Sequence, residues 1–212
     1  NYISSFTGDV MIRPKSSSQL SLFGDETPVT GELTRITTLI PYNDIVSYIN
    51  SQEQVKASFS LVSGMTAMEY GENRFATYVF GVNGDQYLET LSSIKLVEGQ
   101  SYTQGQKGVM LCSNAAQKLG VGIGDIVQFI VSDGPYVRIR AAPLTAIFEY
   151  NIHNDIFDRF AIADADTVRS LLDMSEAAAV ENLEIAEENT SLLDSDTDFD
   201  FDSLFDNAFD ST

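Results

Sequence analysis

Gly108-Val-Met-Leu-Cys-Ser-Asn-Ala-Ala-Gln-Lys-Leu-Gly-Val-Gly-Ile-Gly-Asp-Ile-Val-Gln-Phe129 decides the fold, because it reads as strand, short helix, tight turn and strand in one phrase. Val109–Leu111 is a brief apolar strand. Asn114 followed three residues on by Gln117 has the form of a capping box, which predicts a helix over Ala115–Leu119. Gly120 falls where a helix stops in the left-handed conformation, which glycine alone takes without steric cost. Gly124-Asp125 is a turn dipeptide, and Ile126–Val131 then alternates as a strand does. The stretch holds no nucleophile paired with a base and no set of metal ligands. Its glycines at 120, 122 and 124 mimic the spacing of a dinucleotide-binding loop, but they follow a helix and precede a strand, the reverse of what that loop needs.

Around this core the composition sets bounds. The chain has 212 residues, enough for one ordinary domain or two small subdomains, and its 43% apolar content can fill a core. A formal net charge of −19 argues against binding nucleic acid or anionic lipid. Twelve of the 31 acidic residues fall in 176–212, which holds no Lys or Arg, so residues 1–175 carry nineteen acids against twelve bases. The body is mildly acidic and the tail strongly so. Cys112, the only cysteine, excludes an internal disulfide and is expected to be buried within Val-Met-Leu-Cys. No apolar run approaches the roughly 18–20 residues that cross a bilayer, and no signal peptide is read. The chain opens on Asn1 and not on Met, which is read as processing or excision from something longer.

Further along the chain, Pro41 and Asn43-Asp44 suit the first turn of a helix that puts Ile45, Val46 and Ile49 on one face. Val55–Met68 and Phe75–Val82, joined across Tyr70-Gly-Glu-Asn73, predict a hairpin. Gly84–Leu91 reads as a short helix and Lys95–Gly99 as a strand. Tyr136–Arg140 and Leu144–Glu149 read as two more strands. Phe160–Ala163 leads into a helix from about Asp166, with Val168, Leu171 and Leu172 inward.

Five of these phrases, in this order, resemble the MacB-like periplasmic core domain, the extracytoplasmic module of FtsX-like ABC transporter permeases of the MacB, LolC and LolE type. Thr7, Gly8, Asp9, Val10 and Ile12 match a segment that in the family follows the first membrane helix. Leu96, Gly99, Gln100 and Tyr102 match the phrase before the signature. Ala116, Leu119, Gly120, Gly124 and Asp125 carry the signature itself. The strand at 144–149 and the helix after Phe160 are similar to the last two phrases, although Ala163 and Asp164 depart from the usual residues there.

The resemblance implies an α+β fold over residues 1–175: a mixed sheet with a βαβ-like porter lobe, about 1–84 and 151–175, and a smaller strand-rich sabre-like lobe, about 85–150. It implies a non-catalytic domain without cofactor, on the periplasmic side of the bacterial cytoplasmic membrane. Such a domain couples ATP-driven motion of membrane helices to movement of a substrate or to signalling. The partners it implies are an ABC ATPase subunit or domain, a second permease copy, and a periplasmic adaptor, lipoprotein or envelope protein. Relatives close with a further strand–helix–strand that residues 176–212 do not contain. The alternative is a stand-alone secreted or surface binding protein that reuses the fold.

Three other features bear on chemistry. Asp194, Asp196, Asp198 and Asp200 alternate hard oxygen ligands suited to calcium, yet the run lacks the central Gly and closing Glu of a calcium loop. It is read as a solvated linker, with a calcium site as the alternative. Phe201, Leu204, Phe205, Ala208 and Phe209 follow at helical spacing as an apolar stripe between aspartates. A helix of that length is not stable alone, so the stripe is expected to dock on its own domain or a neighbouring copy, with disorder or a separate partner as alternatives. His153 is the only histidine, and neither it nor Cys112 is flanked by a motif for nucleophilic catalysis.

Overall fold

The computed structural model describes residues 10–14, 39, 41–91, 93–133, 136–151 and 157–174. Its elements are α1 (Tyr42–Asn50), β1 (Val62–Tyr70), β2 (Asn73–Val82), α2 (Gly84–Thr90), β3 (Ile94–Gly99), β4 (Val109–Cys112), α3 (Ser113–Leu119), β5 (Ile126–Asp133), β6 (Tyr136–Tyr150), a 3-10 turn (Phe157–Arg159), β7 (Phe160–Asp164) and α4 (Ala165–Leu171). The fold is α+β with a mixed seven-stranded sheet in the order β3-β6-β4-β7-β2-β1-β5. β5 also pairs with β6, so the hydrogen-bonded circuit β6-β4-β7-β2-β1-β5 closes on itself. Closure leaves fewer unpaired edges for non-specific association.

Strands assigned to the two lobes interleave in this one ladder. β4, from the 85–150 range, pairs in parallel with β6 and antiparallel with β7, and β7 pairs in parallel with β2. The reason is β6. Tyr136–Arg140 and Leu144–Glu149 are not two strands but one of 15 residues, whose first half pairs with β5 and whose second half pairs with β3 and β4. Pro143 is tolerated because Leu144 makes the bonds to the β5 side, donating to Asp125 O at 2.7 Å and accepting from Gly124 N at 2.8 Å. By strand alternation the N–H that Pro143 lacks would point to the other side.

Three further expectations are corrected. Residues 55–61 are not strand, and β1 begins at Val62, from which its register with β2 runs unbroken to Tyr70↔Asn73. Pro41 is the N-cap of α1 and not part of its first turn. Asn114 is not a cap either. Cys112 holds that position with no side-chain cap bond, and the Ser113 hydroxyl turns to Phe148 O at 3.4 Å and Glu149 Oε1 at 3.2 Å. The cap placement fails because β4 runs straight into α3 and leaves no room for a separate capping turn.

The main core takes in both faces of the central strands: Met68, Val79, Val109, Leu111 and Phe129 lie on one, Met110, Ile162 and Phe148 on the other, and Leu119 of α3 and Val168 and Leu171 of α4 belong to the same cluster. A smaller aromatic core of Phe80, Phe157 and Phe160, with Tyr78 and Tyr150 against it, is built around β2 and β7. Phe80 and Phe160 are edge-to-face with centroids 5.2 Å apart. α4 sits very close to β2: a Cβ on Gly81 would stand 2.6 Å from Val168 Cβ. Asp164 caps α4 by accepting from Thr167 N at 2.9 Å, and its other oxygen accepts from Gly108 N at 3.2 Å. One carboxylate thus ties the start of α4 to the start of β4.

Candidate functional site

The signature residues are brought into one region, and each serves a joint. Gly99 ends β3 with φ +77°, and a Cβ there would run into Thr145 O and stand 3.0 Å from Ala146 Cα. Its neighbour Gln100 donates to that same Thr145 O at 2.9 Å. Ala116 and Leu119 are buried core residues of α3. Gly120, at φ +75°, ends the helix as expected: its N–H and that of Val121 both reach Ala116 O, while Asn73 Nδ2 donates to Leu119 O at 3.1 Å. The hairpin turn between β1 and β2 thereby clamps the end of α3. Gly124, at φ +93°, and Asp125 form the turn into β5, where Asp125 Oδ2 accepts from Gly122 N at 2.9 Å. The Asp125 carboxylate also hydrogen-bonds the Tyr70 hydroxyl, and that bond and its charge raise the Tyr70 pKa.

Tyr102, the last residue of the phrase before the signature, is a wedge. A Cβ on Gly84 would stand 3.1 Å from its ring, and one on Gly108 2.5 Å from it. Burial holds the pKa of Tyr102 well above the usual tyrosine value, with a further push from Asp164. Tyr87 is raised by burial in the same way. Among the described residues neither hydroxyl has a hydrogen-bond partner. Cys112 is buried, as expected. Among the described residues no group of three or more His, Cys, Asp and Glu could hold a metal ion, and no helix is long and apolar enough to cross a membrane. Gly8, Asp9, His153, Asp194, Asp196, Asp198, Asp200 and the stripe Phe201, Leu204, Phe205 and Phe209 lie outside the described residues.

Sequence reading missed one surface. The face of the β5–β6 hairpin turned away from α4 carries Val137 and Ile139, exposed by 59% and 50%, with Ile130 opposite Ile139. Ala67 pairs with Ile130, which brings Met65, two residues along β1 and 47% exposed, onto the same face. Ile126, 52% exposed, extends the strip beyond Gln128. The opposite face is anchored to α4, through Arg138 to Asp173 at 2.7 Å and Arg140 Nε to Ser170 Oγ at 2.6 Å. The signal was present in the sequence: Val137 and Ile139 alternate with two arginines, which is the pattern of a strand whose inner face is polar at that end.

No family model and no curated protein sequence matches the chain. Among solved structures, it is similar to the extracellular domain of the ABC-type transporter YknZ from Gram-positive bacteria, at 12% identity and a TM-score of 0.47, over 60% of this chain and 64% of that one. It is also similar to the periplasmic region of MacB from Actinobacillus actinomycetemcomitans, at 15% identity and a TM-score of 0.47, over 68% and 72% of the two chains. The chain thus spans slightly less than two thirds of the YknZ domain.

Proposed function

We propose that this chain is the non-catalytic extracytoplasmic domain of an FtsX-like ABC transporter permease, with residues 1–175 as the core domain and 176–212 as an acidic tail. In this reading it works as a pair of copies, driven through membrane helices by an ABC ATPase, and passes that motion to a substrate or an envelope partner. The observation that carries the reading is the placement of the signature residues: Gly99, Tyr102, Gly120 and the Gly124-Asp125 turn all fix joints between strands and helices. A motif spent entirely on joints describes a force-bearing scaffold better than a reaction centre. The second reading, a stand-alone surface binding protein, draws on the exposed Val137–Ile139 strip.

Topology separates the two. Val97 on β3 is exposed by 54%, whereas Cys112 is buried. In spheroplasts making the full gene product, Val97→Cys is expected to react with a membrane-impermeant maleimide before lysis, in protein that stays with the membrane, and the parent chain is expected to stay unlabelled. Labelling only after lysis would overturn the proposal, and labelled protein released into the medium would favour the second reading.

A further inference from the structure

We infer that residues 41–58, α1 and the segment that returns from it, form a strap that lifts off the body as one unit while the sheet stays closed. α1 is the least committed helix of the fold. α2, α3 and α4 have seven residues each and all bury at least two, whereas none of the nine residues of α1 is buried. Ile45, Val46 and Ile49 share one of its faces and are only half-buried, and none of them belongs to either core. Its N-cap, Pro41, makes no side-chain cap bond. A helix this short does not persist by itself, so its order comes from a few contacts.

Among the described residues that hold centres on one side chain. The Tyr42 hydroxyl donates to Ser60 Oγ at 2.6 Å, and the guanidinium of Arg169 on α4 lies over the Tyr42 ring, 5.5 Å from its centroid. Arg169 is shared, since its Nη1 also stands 3.6 Å from Asp166 Oδ1. At the far end Ser58 Oγ donates to Asn50 Oδ1 at 2.6 Å, which closes the strap on itself, and Gln86 of α2 donates to Ser58 O at 2.5 Å. These contacts lie at or near the surface, where each is a weak hold. The core takes its grip on the chain just beyond them. Phe59 is edge-to-face with buried Tyr87, centroids 5.2 Å apart, and Phe59 and Leu61 pack against the main core ahead of β1. Lifting the strap therefore breaks the Tyr42 latch and the Gln86 bond, keeps Asn50 bonded to Ser58, and leaves β1 in register with β2. That is the profile of a unit that opens well before the fold does. Nothing in this opening requires a membrane or a second copy.

Hydrogen exchange of the 212-residue chain, followed by mass spectrometry, measures the opening directly. The amides of 45–52 are expected to exchange at least about a hundredfold faster than those of β2, with one shared opening constant, and still more slowly than an unfolded peptide. Urea well below the unfolding midpoint should barely change the strap's rate, because so local an opening exposes little surface. Tyr42→Ala, which removes both latch contacts, is expected to speed exchange in 45–52 about tenfold. Tyr42→Phe, which keeps a ring under Arg169, should speed it about threefold. β2 should be unchanged in both variants. Alanine is the better helix former, so a helix governed by its own propensity would be slowed by Tyr42→Ala, not speeded. Strap amides that exchange at the rate of β2, or at the rate of an unfolded peptide, would overturn the inference. So would rates graded from one end of α1, a Tyr42→Ala chain whose strap exchanges no faster, or variants that speed β2 and the strap alike.

Discussion

Gly99→Ala is expected to destabilise the domain by about 3–5 kcal/mol, at the upper end for a single methyl group. Two costs combine. A φ of +77° disfavours any residue with a Cβ, at about 1 kcal/mol. The larger cost is contact, because the added carbon would meet Thr145 O and the Cα of Ala146, both backbone atoms. Relief requires β3 to move off β6, which sacrifices the Gln100 N to Thr145 O bond and loosens the bulged end of that pairing. Gly124→Ala is the control. Its φ of +93° imposes a similar conformational cost, but nothing stands within 4 Å of the added carbon. It should cost only about 1 kcal/mol. Denaturant midpoints of the two variants measure the difference, and equal losses would show that the contact at Gly99 is not fixed by the fold.

Alkaline unfolding with a slope set by two tyrosines is the second large effect. Tyr87 and Tyr102 are fully buried, and burial raises both hydroxyl pKa values well above the usual tyrosine value of about 10. The folded state therefore resists losing protons that the unfolded chain releases near pH 10. Stability from these groups is whole below that pH and is lost above it, by about 1.4 kcal/mol per tyrosine per pH unit. At pH 11 the loss is about 3 kcal/mol for the pair. Because neither hydroxyl is hydrogen-bonded among the described residues, Tyr87→Phe and Tyr102→Phe should be neutral or stabilising at pH 7. Together they should flatten the alkaline limb. An unchanged limb in the double variant, followed by urea unfolding at pH 8 to 11, would assign the transition to other groups.

The local phrases were legible because they rest on backbone rules. Gly120 ends α3 with positive φ whatever surrounds it, and Gly124-Asp125 turns for the same reason. The hairpin from β1 to β2 was found at its turn but started too early, since 55–61 carries a strand-like alternation without a neighbour to pair with. The unity of β6 was hidden by Pro143, whose usual role as a breaker is cancelled by the direction its missing N–H would face. The closed circuit depends on β5 meeting both β1 and β6, contacts between segments far apart in sequence that no local pattern encodes. The outer strip went unread for a related reason. Val137 and Ile139 look like ordinary core until the register places them on the face that α4 does not cover.

The decisive experiment concerns motion. The proposed function is tested with the full gene product reconstituted in membranes beside the ABC ATPase it proposes, where a spin label on Val97→Cys reads the separation of the proposed pair, because Val97 is exposed on β3 and Cys112 is buried. One distance distribution is expected without nucleotide and a displaced one when ATP is bound, returning on hydrolysis. A distribution that stays unchanged while the ATPase turns over would contradict the proposed function.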